Sequence, residues 1–207
     1  MKKLFLVIIM IMFVSPAYAL LGVSAGIKFG RATSTDYARI DLPSEVLATF
    51  ETPSETVDDQ MTLLGAQFKI ATLPLIDFIV SAEYSWMKQD ILSDGSLSYK
   101  FHDLALSASV VRSLKMGLLS PYGGVGISTR SLSYKLEGTG VGGYDIPDMV
   151  VPDDDIYTGY HILAGIDVSP FVFPVSITAQ ARSNWIKVGG DTSNFITLTA
   201  GLNYNFL

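Results

Sequence analysis

Thr199-Ala200-Gly201-Leu202-Asn203-Tyr204-Asn205-Phe206 closes the chain, one residue short of its end at Leu207. Successive side chains of an extended strand point to opposite faces. Leu202, Tyr204 and Phe206 therefore share one face, and Gly201, Asn203 and Asn205 the other. A single stretch of this kind suits many β folds. Its weight comes from seven earlier stretches that alternate in the same way.

From Leu21 to Arg31, Leu21, Val23, Ala25, Ile27 and Phe29 alternate with Gly22, Ser24, Gly26, Lys28 and Gly30. Between Thr62 and Thr72, Leu64, Ala66, Phe68 and Ile70 oppose Gly65, Gln67 and Lys69. From Asp77 to Met87, Phe78, Val80, Ala82, Tyr84 and Trp86 oppose Ser81, Glu83 and Ser85. Over 99–112, Leu104, Leu106, Ala108 and Val110 oppose Asp103, Ser107 and Ser109. The second half continues with Tyr122–Arg130, Tyr157–Ser169 and Val175–Ile186, and the last stretch, Phe195–Phe206, contains the closing octet. A tilted strand needs about ten residues to cross a bilayer. One stretch is a weak signal, but eight in succession predict an all-β, eight-stranded, antiparallel up-and-down transmembrane β-barrel.

The connections carry separate information. Those at 32–61 and 132–156 are long and that at 88–98 is intermediate, whereas 73–76, 113–120 and 170–173 are short and 187–194 is modest. Long odd loops and short even turns are expected when the former face the cell exterior and the latter the periplasm. An even strand count then places both termini on the periplasmic side. Pro121, Pro170 and Pro174 fall at strand starts or in turns, where a missing N–H does least harm.

Bulk properties agree. Lys2 and Lys3, the apolar run Leu4–Val14 and Pro16-Ala17-Tyr18-Ala19 read as a secretory signal over 1–19, leaving 20–207 as the barrel. The run is too short to anchor the chain, since a spanning helix needs about 20 residues. There is no cysteine for a disulfide or a lipid anchor. The net charge of −6 becomes −8 when Lys2 and Lys3 leave, which disfavours nucleic acid as a partner. Only 16% of residues are charged, against roughly a quarter in a soluble domain. Mean hydropathy is +0.37, yet no apolar run after the signal reaches about 18 residues. A closed barrel is the other structure that a bilayer accepts.

A soluble sandwich or lipocalin-like barrel also alternates. Small residues on the polar face suit a crowded, narrow interior instead. The aromatics Phe78, Trp86, Tyr157, Tyr160, Trp185, Tyr204 and Phe206 gather at stretch ends like interface girdles.

These features together resemble the small outer-membrane β-barrel family, the OmpA/OmpX-like barrels. The residues that carry the likeness are the signal, the eight stretches, the Gly-rich Pro121-Tyr122-Gly123-Gly124-Val125-Gly126, and Thr199, Gly201, Tyr204 and Phe206. The resemblance implies a Gram-negative outer membrane, with its lipid and lipopolysaccharide as surroundings. It also implies that Thr199, Gly201, Tyr204 and Phe206 form a signal read by the barrel-assembly machinery; the chain is expected to be a monomer. The chain departs from the pattern by ending in Leu207 rather than an aromatic. The shared motifs specify architecture, not activity.

By parity the interior holds Lys28, Lys69, Arg130 and Arg182 with Glu83, Asp103, Asp167 and His161. Eight strands leave room for side chains alone, so these read as a paired polar plug. Catalysis by a Ser–His–carboxylate set is not expected. The only histidines are His102 and His161, and six residues put His161 and Asp167 about 20 Å apart along a strand.

The loops are acidic. The first carries Asp36, Asp41, Glu45, Glu51, Glu55, Asp58 and Asp59 against Arg39; the third carries Glu137, Asp145, Asp148 and Asp153–Asp155 against Lys135. Asp153-Asp154-Asp155 comes nearest to a divalent-cation site, but its spacing matches no EF-hand loop, and solvated loops are the simpler reading. No cofactor is expected. Leu42, Val46, Leu47, Phe50, Ile146, Met149, Val150 and Val151 add apolar surface, and 44–50 read as a short helix capped by Ser44. The expected function is structural or surface interaction through 32–60 and 132–156. The alternative is a narrow channel or a conduit for small apolar molecules.

Overall fold

The computed structural model describes residues 22–33, 60–73, 76–90, 97–138, 155–170, 173–188 and 191–206. The segment 1–19, the capped stretch 44–50 and Asp145, Asp148, Asp153 and Asp154 lie outside them. Eight strands run in order: β1 Gly22–Thr33, β2 Gln60–Leu73, β3 Ile76–Asp90, β4 Leu97–Ser113, β5 Leu119–Gly138, β6 Asp155–Val168, β7 Val175–Val188 and β8 Asp191–Phe206. Each pairs antiparallel with its sequence neighbours, and β8 returns to β1 to close the barrel. Closure leaves no sheet edge with unpaired backbone groups.

The closing octet is the seam. Gly201 lies opposite Lys28, Leu202 opposite Ile27, Tyr204 opposite Ala25 and Phe206 opposite Val23. On its other side β8 aligns with β7, with Thr178 facing Gly201. The expected pairing of the last stretch with the first is what the register contains.

Alternation sorts the wall into two faces. Ile27, Phe29, Leu64, Val80, Leu106, Val125, Ile127, Ile162, Ile177, Leu198 and Leu202 stand exposed on the outside. Lys28, Glu83, Asp103, Arg130, His161 and Arg182 are almost wholly buried inside. A soluble barrel has the opposite arrangement, and exposed apolar surface on this scale marks contact with another apolar medium. The outer apolar belt on β8 runs from Ile196 to Phe206, ten steps or ~33 Å along the strand, which a tilt of about 40° shortens to ~25 Å. That is the height of a membrane belt. Tyr84 with Trp86, and Tyr160 with Trp185, stack at the end toward the long connections, with centroids 5.7 and 5.3 Å apart. Phe78, Tyr204 and Phe206 mark the end that holds the chain termini.

Three sequence expectations change. The strands run further toward the long connections than expected, β5 continuing to Gly138 and β6 starting at Asp155, so the second long connection is shorter than 132–156. Tyr157 does not belong to the outer girdle; it packs against an interior cluster, because its parity is that of His161. The turn over 113–120 tightens to Leu114–Leu118, where Gly117 takes φ 67° and the Met116 N–H donates to the Leu119 carbonyl at 2.8 Å. That left-handed conformation favours glycine.

Candidate functional site

The site that the fold offers is the lumen itself, and it has three levels. At the terminus end lies a half-open polar cavity of about 300 Å³, lined among others by Lys69, Asp77, Lys115, Tyr122, Asp167 and Asn203. Lys69 Nζ is 2.9 Å from Asp167 and 3.2 Å from Asp77, and lies 4.9 Å from the centre of the Tyr122 ring. Asp167 also accepts from Thr178 Oγ1 at 2.5 Å, and Asp77 accepts from Ser113. Thr178 in turn accepts from Asn203 at 2.6 Å, and Asn203 accepts from Gln67 at 2.6 Å. The inner face of the closing octet therefore belongs to this network. Above it Ile79, Val111, Tyr122 and Leu163 form a small buried apolar cluster.

The middle level is the charge core. Glu83 bridges two cations, with Lys28 Nζ 2.6 Å from Oε1 and Arg182 on Oε2. Ser81 donates to Glu83 at 3.0 Å and meets Ser107 at 2.7 Å. Asp103 pairs with Arg130, whose guanidinium also lies 4.6 Å from the centre of the Phe195 ring. Burying such charges costs several kcal/mol each unless they pair. Here one set of pairs runs across the barrel, from β1 to β3 to β7, and the other joins the neighbouring strands β4 and β5.

Glycines make the space that these side chains fill. A Cβ at Gly126 would collide with the His161 ring and the Ala108 carbonyl; one at Gly165 would collide with the Tyr122 ring. A Cβ at Gly201 would meet the Ile27 carbonyl oxygen at 2.9 Å and crowd the Lys28 Cβ at 3.3 Å.

The third level, toward the long connections, is apolar. Ala32, Met61, Met87, Tyr99, Phe101, Leu132, Tyr134, Ile186 and Phe195 form one buried cluster, with Phe101 and Tyr134 rings 5.0 Å apart. The sequence expectation of a polar interior thus fails at this end. At the same level the outer face is largely polar, with Arg31, Gln60, Thr62, Lys88, Ser133, Lys135, Thr158, Lys187, Thr192 and Asn194 turned outward and Ile156 as the apolar exception. Apolar inside and polar outside is the arrangement of a water-soluble protein, so the wall rises out of the membrane belt here. The signal was present in the inward parity of Met61, Leu63, Tyr99, Phe101, Leu132 and Tyr134. Ending the strands near Arg130 and Thr62 hid it.

All eight luminal residues named from sequence point inward, and they fall into separate groups. Lys28, Glu83 and Arg182 form one, Asp103 and Arg130 a second, and Lys69 and Asp167 a third, with His161 bonded through Nε2 to Ser109 Oγ at 2.8 Å. A Ser–His pair is half of a nucleophilic apparatus. Both residues are buried, and no described residue hydrogen-bonds Nδ1 to orient the ring. His102 faces outward, where its Nδ1 is 2.6 Å from Tyr84 Oη. Of the terminal residues, Thr199 and Gly201 face the lumen, and Tyr204 and Phe206 face outward in edge contact at 5.2 Å. Among the described residues no group of carboxylates and histidines is set to hold a metal ion.

No protein-family model matches the chain, and no curated protein matches it by sequence. Its structure is similar to that of Ail, the attachment invasion locus protein of Yersinia pestis, solved in complex with the heparin analogue sucrose octasulfate. The identity is 14%, the match covers 90% of this chain and 97% of Ail, and the TM-score is 0.50. The N-terminal β-barrel domain of Pseudomonas aeruginosa OprF matches with 11% identity over 89% of this chain and 99% of that one, again with a TM-score of 0.50. At these identities the shared property is the fold, that of the small eight-stranded outer-membrane β-barrels.

Proposed function

We propose that this chain is a monomeric outer-membrane protein whose barrel is a closed scaffold, and that its function is envelope support and surface contact through its loop end. In this reading the termini are periplasmic, and contact is made at the end of the barrel from which segments 34–59 and 139–154 depart. The observation that carries the reading is the cross-section of the lumen. Ion pairs among Lys28, Glu83 and Arg182 and between Asp103 and Arg130 lie beneath the packed rings of Phe101, Tyr134 and Phe195. A hydrated ion meets first an apolar layer and then a set of charges already paired to one another.

Planar-bilayer recording of the purified barrel tests this directly. The expected trace is flat at the applied voltages. Resolved single-channel steps would replace the scaffold reading with a channel.

The loops favour some partners over others. Their carboxylates outnumber their cations, so a polyanion such as a sulfated polysaccharide suits them poorly. Cationic or apolar surfaces suit them better. The sealed Ser109–His161 pair has no access for a lipid or ester, which supports a non-enzymatic role.

A further inference from the structure

Arg112 faces the lipid from within the apolar belt. Val110, Arg112 and Leu114 share a parity, and all three are exposed on the outer face. Val110 lies opposite Phe78 and Val125, both exposed, and Arg112 lies two residues, ~7 Å, nearer the terminus rim. Leu114, Met116 and Leu119 stand exposed beyond it, so apolar side chains bracket the arginine along its own hairpin. Among the described residues no carboxylate pairs with it. The turns at this end, 73–76, 113–120 and 169–174, contain no Asp or Glu. Asp77 and Asp167 turn inward onto Lys69, and Lys115 borders the luminal cavity that holds both. The chain end belongs to β8, four strands away. A cation that faces lipid is costly unless it reaches the headgroups or meets an anion there.

Beside Arg112 the outer wall is open. Gly123 lies directly opposite it on β5, and Ala164 directly opposite Gly123 on β6. A Cβ at Gly123 would meet nothing closer than the Leu163 carbonyl at 3.7 Å. From Ala164 an apolar groove of about 710 Å³ continues across β7 and β8 to Phe29 on β1. The short side chains of Ala164, Ala179, Ala181 and Ala200 make the hollow, and Phe29, Ile166 and Leu198 stand around it. Four adjacent strands span about 14 Å, close to half of a ~30 Å hydrocarbon core. The registers fix the direction. Stepping between partners from Phe206 through Val23, Ile70, Phe78, Val110, Val125, Ile162 and Ser183 returns to β8 at Ile196, ten residues nearer the long connections. A path across the strands from Arg112 toward β8 therefore climbs from the terminus rim toward mid-belt.

We infer that Arg112 and this groove hold one phospholipid of the terminus-side leaflet. Its phosphate sits on the guanidinium, its glycerol over Gly123, and one acyl chain along Ala164, Ala181 and Ala200. A guanidinium presents paired N–H donors that match two phosphate oxygens, and its charge cancels that of a phosphodiester. A phospholipid supplies both halves, an anion at the rim and an apolar chain that climbs from it. Free phosphate leaves the groove empty, and a hydrocarbon leaves the arginine unpaired. Arg31 borders the loop-side end of the groove, but it donates to Gln60 at 2.7 Å and would draw on the other leaflet. The inference rests on the membrane reading given above.

Native mass spectrometry of the folded barrel counts the lipids that it retains. The chain lacking 1–19 is folded into vesicles of phosphatidylglycerol and phosphatidylcholine and extracted in a mild detergent. One phospholipid per barrel is expected to survive extraction. R112Q should reduce the retained fraction about fivefold, the effect of one cation–headgroup attraction. A181F, which fills the groove without touching the arginine, should also reduce it, whereas R31Q should leave it unchanged. Inorganic phosphate in the buffer should not displace the lipid, which separates a lipid site from a free-anion site.

Retention unchanged in R112Q, or lost in R31Q instead, would overturn the site, and so would release of the lipid by inorganic phosphate. Several lipids per barrel, alike in every variant, would mark an unspecific annulus and overturn it as well. A barrel that enters vesicles yet retains no lipid defeats the site alone. A chain that stays outside the vesicles defeats the membrane reading, and the site with it. Each variant must show the electrophoretic mobility of the closed barrel before heating, so that loss of fold is not mistaken for loss of lipid.

Discussion

Two stretches of the same wall, a few residues apart, obey opposite rules. In the belt, β3 turns Phe78, Val80, Tyr84 and Trp86 outward and Ser81, Glu83 and Ser85 inward. One step further, Met87 is inward and buried while Lys88 is outward and exposed. β5 repeats the change: Val125 and Ile127 lie outside against Ser128 and Arg130, then Ser133 and Lys135 outside against Leu132 and Tyr134. The parity of the strand never shifts. What changes sign is the polarity assigned to each face, because the medium outside changes from lipid to water. Alternation therefore records that a strand has two faces, and the place where its polarity inverts records the membrane boundary.

The charge core should be the most sensitive part of the belt. Glu83→Gln leaves Lys28 and Arg182 buried side by side without their shared anion, and an uncompensated buried charge costs about 3–5 kcal/mol. The urea midpoint of the barrel folded in lipid measures it, and a loss below about 1 kcal/mol would mean that the core is hydrated. The triple replacement K28M/E83L/R182M sharpens the contrast. It removes every charge of the set together, and its midpoint should return near that of the parent. In that case the belt tolerates an apolar lumen, as the raised wall already does.

The raised wall is tested by Phe101→Ala. Phe101 is fully buried against Met87, Tyr134 and the rest of the cap, and truncating a buried ring of this kind costs about 3 kcal/mol at the low end of the usual range. A barrel stabilised only by its belt would lose almost nothing.

The outer face gives the complementary pair. Leu106 is 57% exposed at mid-belt, where a lysine facing lipid costs about 2–3 kcal/mol. Leu106→Lys should therefore shift the urea midpoint well down. Ser133→Leu, on β5 above the aromatic rim, should change it by no more than about 0.5 kcal/mol. Equal effects at the two positions would erase the boundary drawn between them.

The eight strands, their closure and eight of the inward polar residues were legible because each depends on a period-two pattern read within one strand; Asp77, buried beside Lys69 near the start of β3, was missed. Lys28, Glu83 and Arg182 are alike in this: parity alone places each inside. Their grouping was not legible. Whether Glu83 meets Lys28, Arg182 or Lys69 depends on the shear of the barrel, which sets the height at which each strand crosses its neighbours. The apolar cap was hidden for a different reason. Apolar-out, polar-in was taken as a constant of the whole strand, so Leu132, Tyr134 and Tyr157, which break it, were read as loop or girdle.

A modest effect on stability is expected at the closing octet, where the contrast is between the finished barrel and its assembly. Phe206 is 46% exposed at the terminus rim and touches Tyr204 edge-on. Phe206→Ala gives up one aromatic contact and some lipid-facing area at a strand end, about 1 kcal/mol in the refolded protein. If the octet is read by an assembly machinery, the amount of folded barrel recovered from outer membranes should fall far more than that loss of stability accounts for. Thr197→Ser, an inward change on the same strand that leaves the octet intact, provides the control. Parallel measurement of cellular yield and purified-barrel stability separates the two roles, and a yield that tracks stability for both variants would reduce the octet to an ordinary strand end.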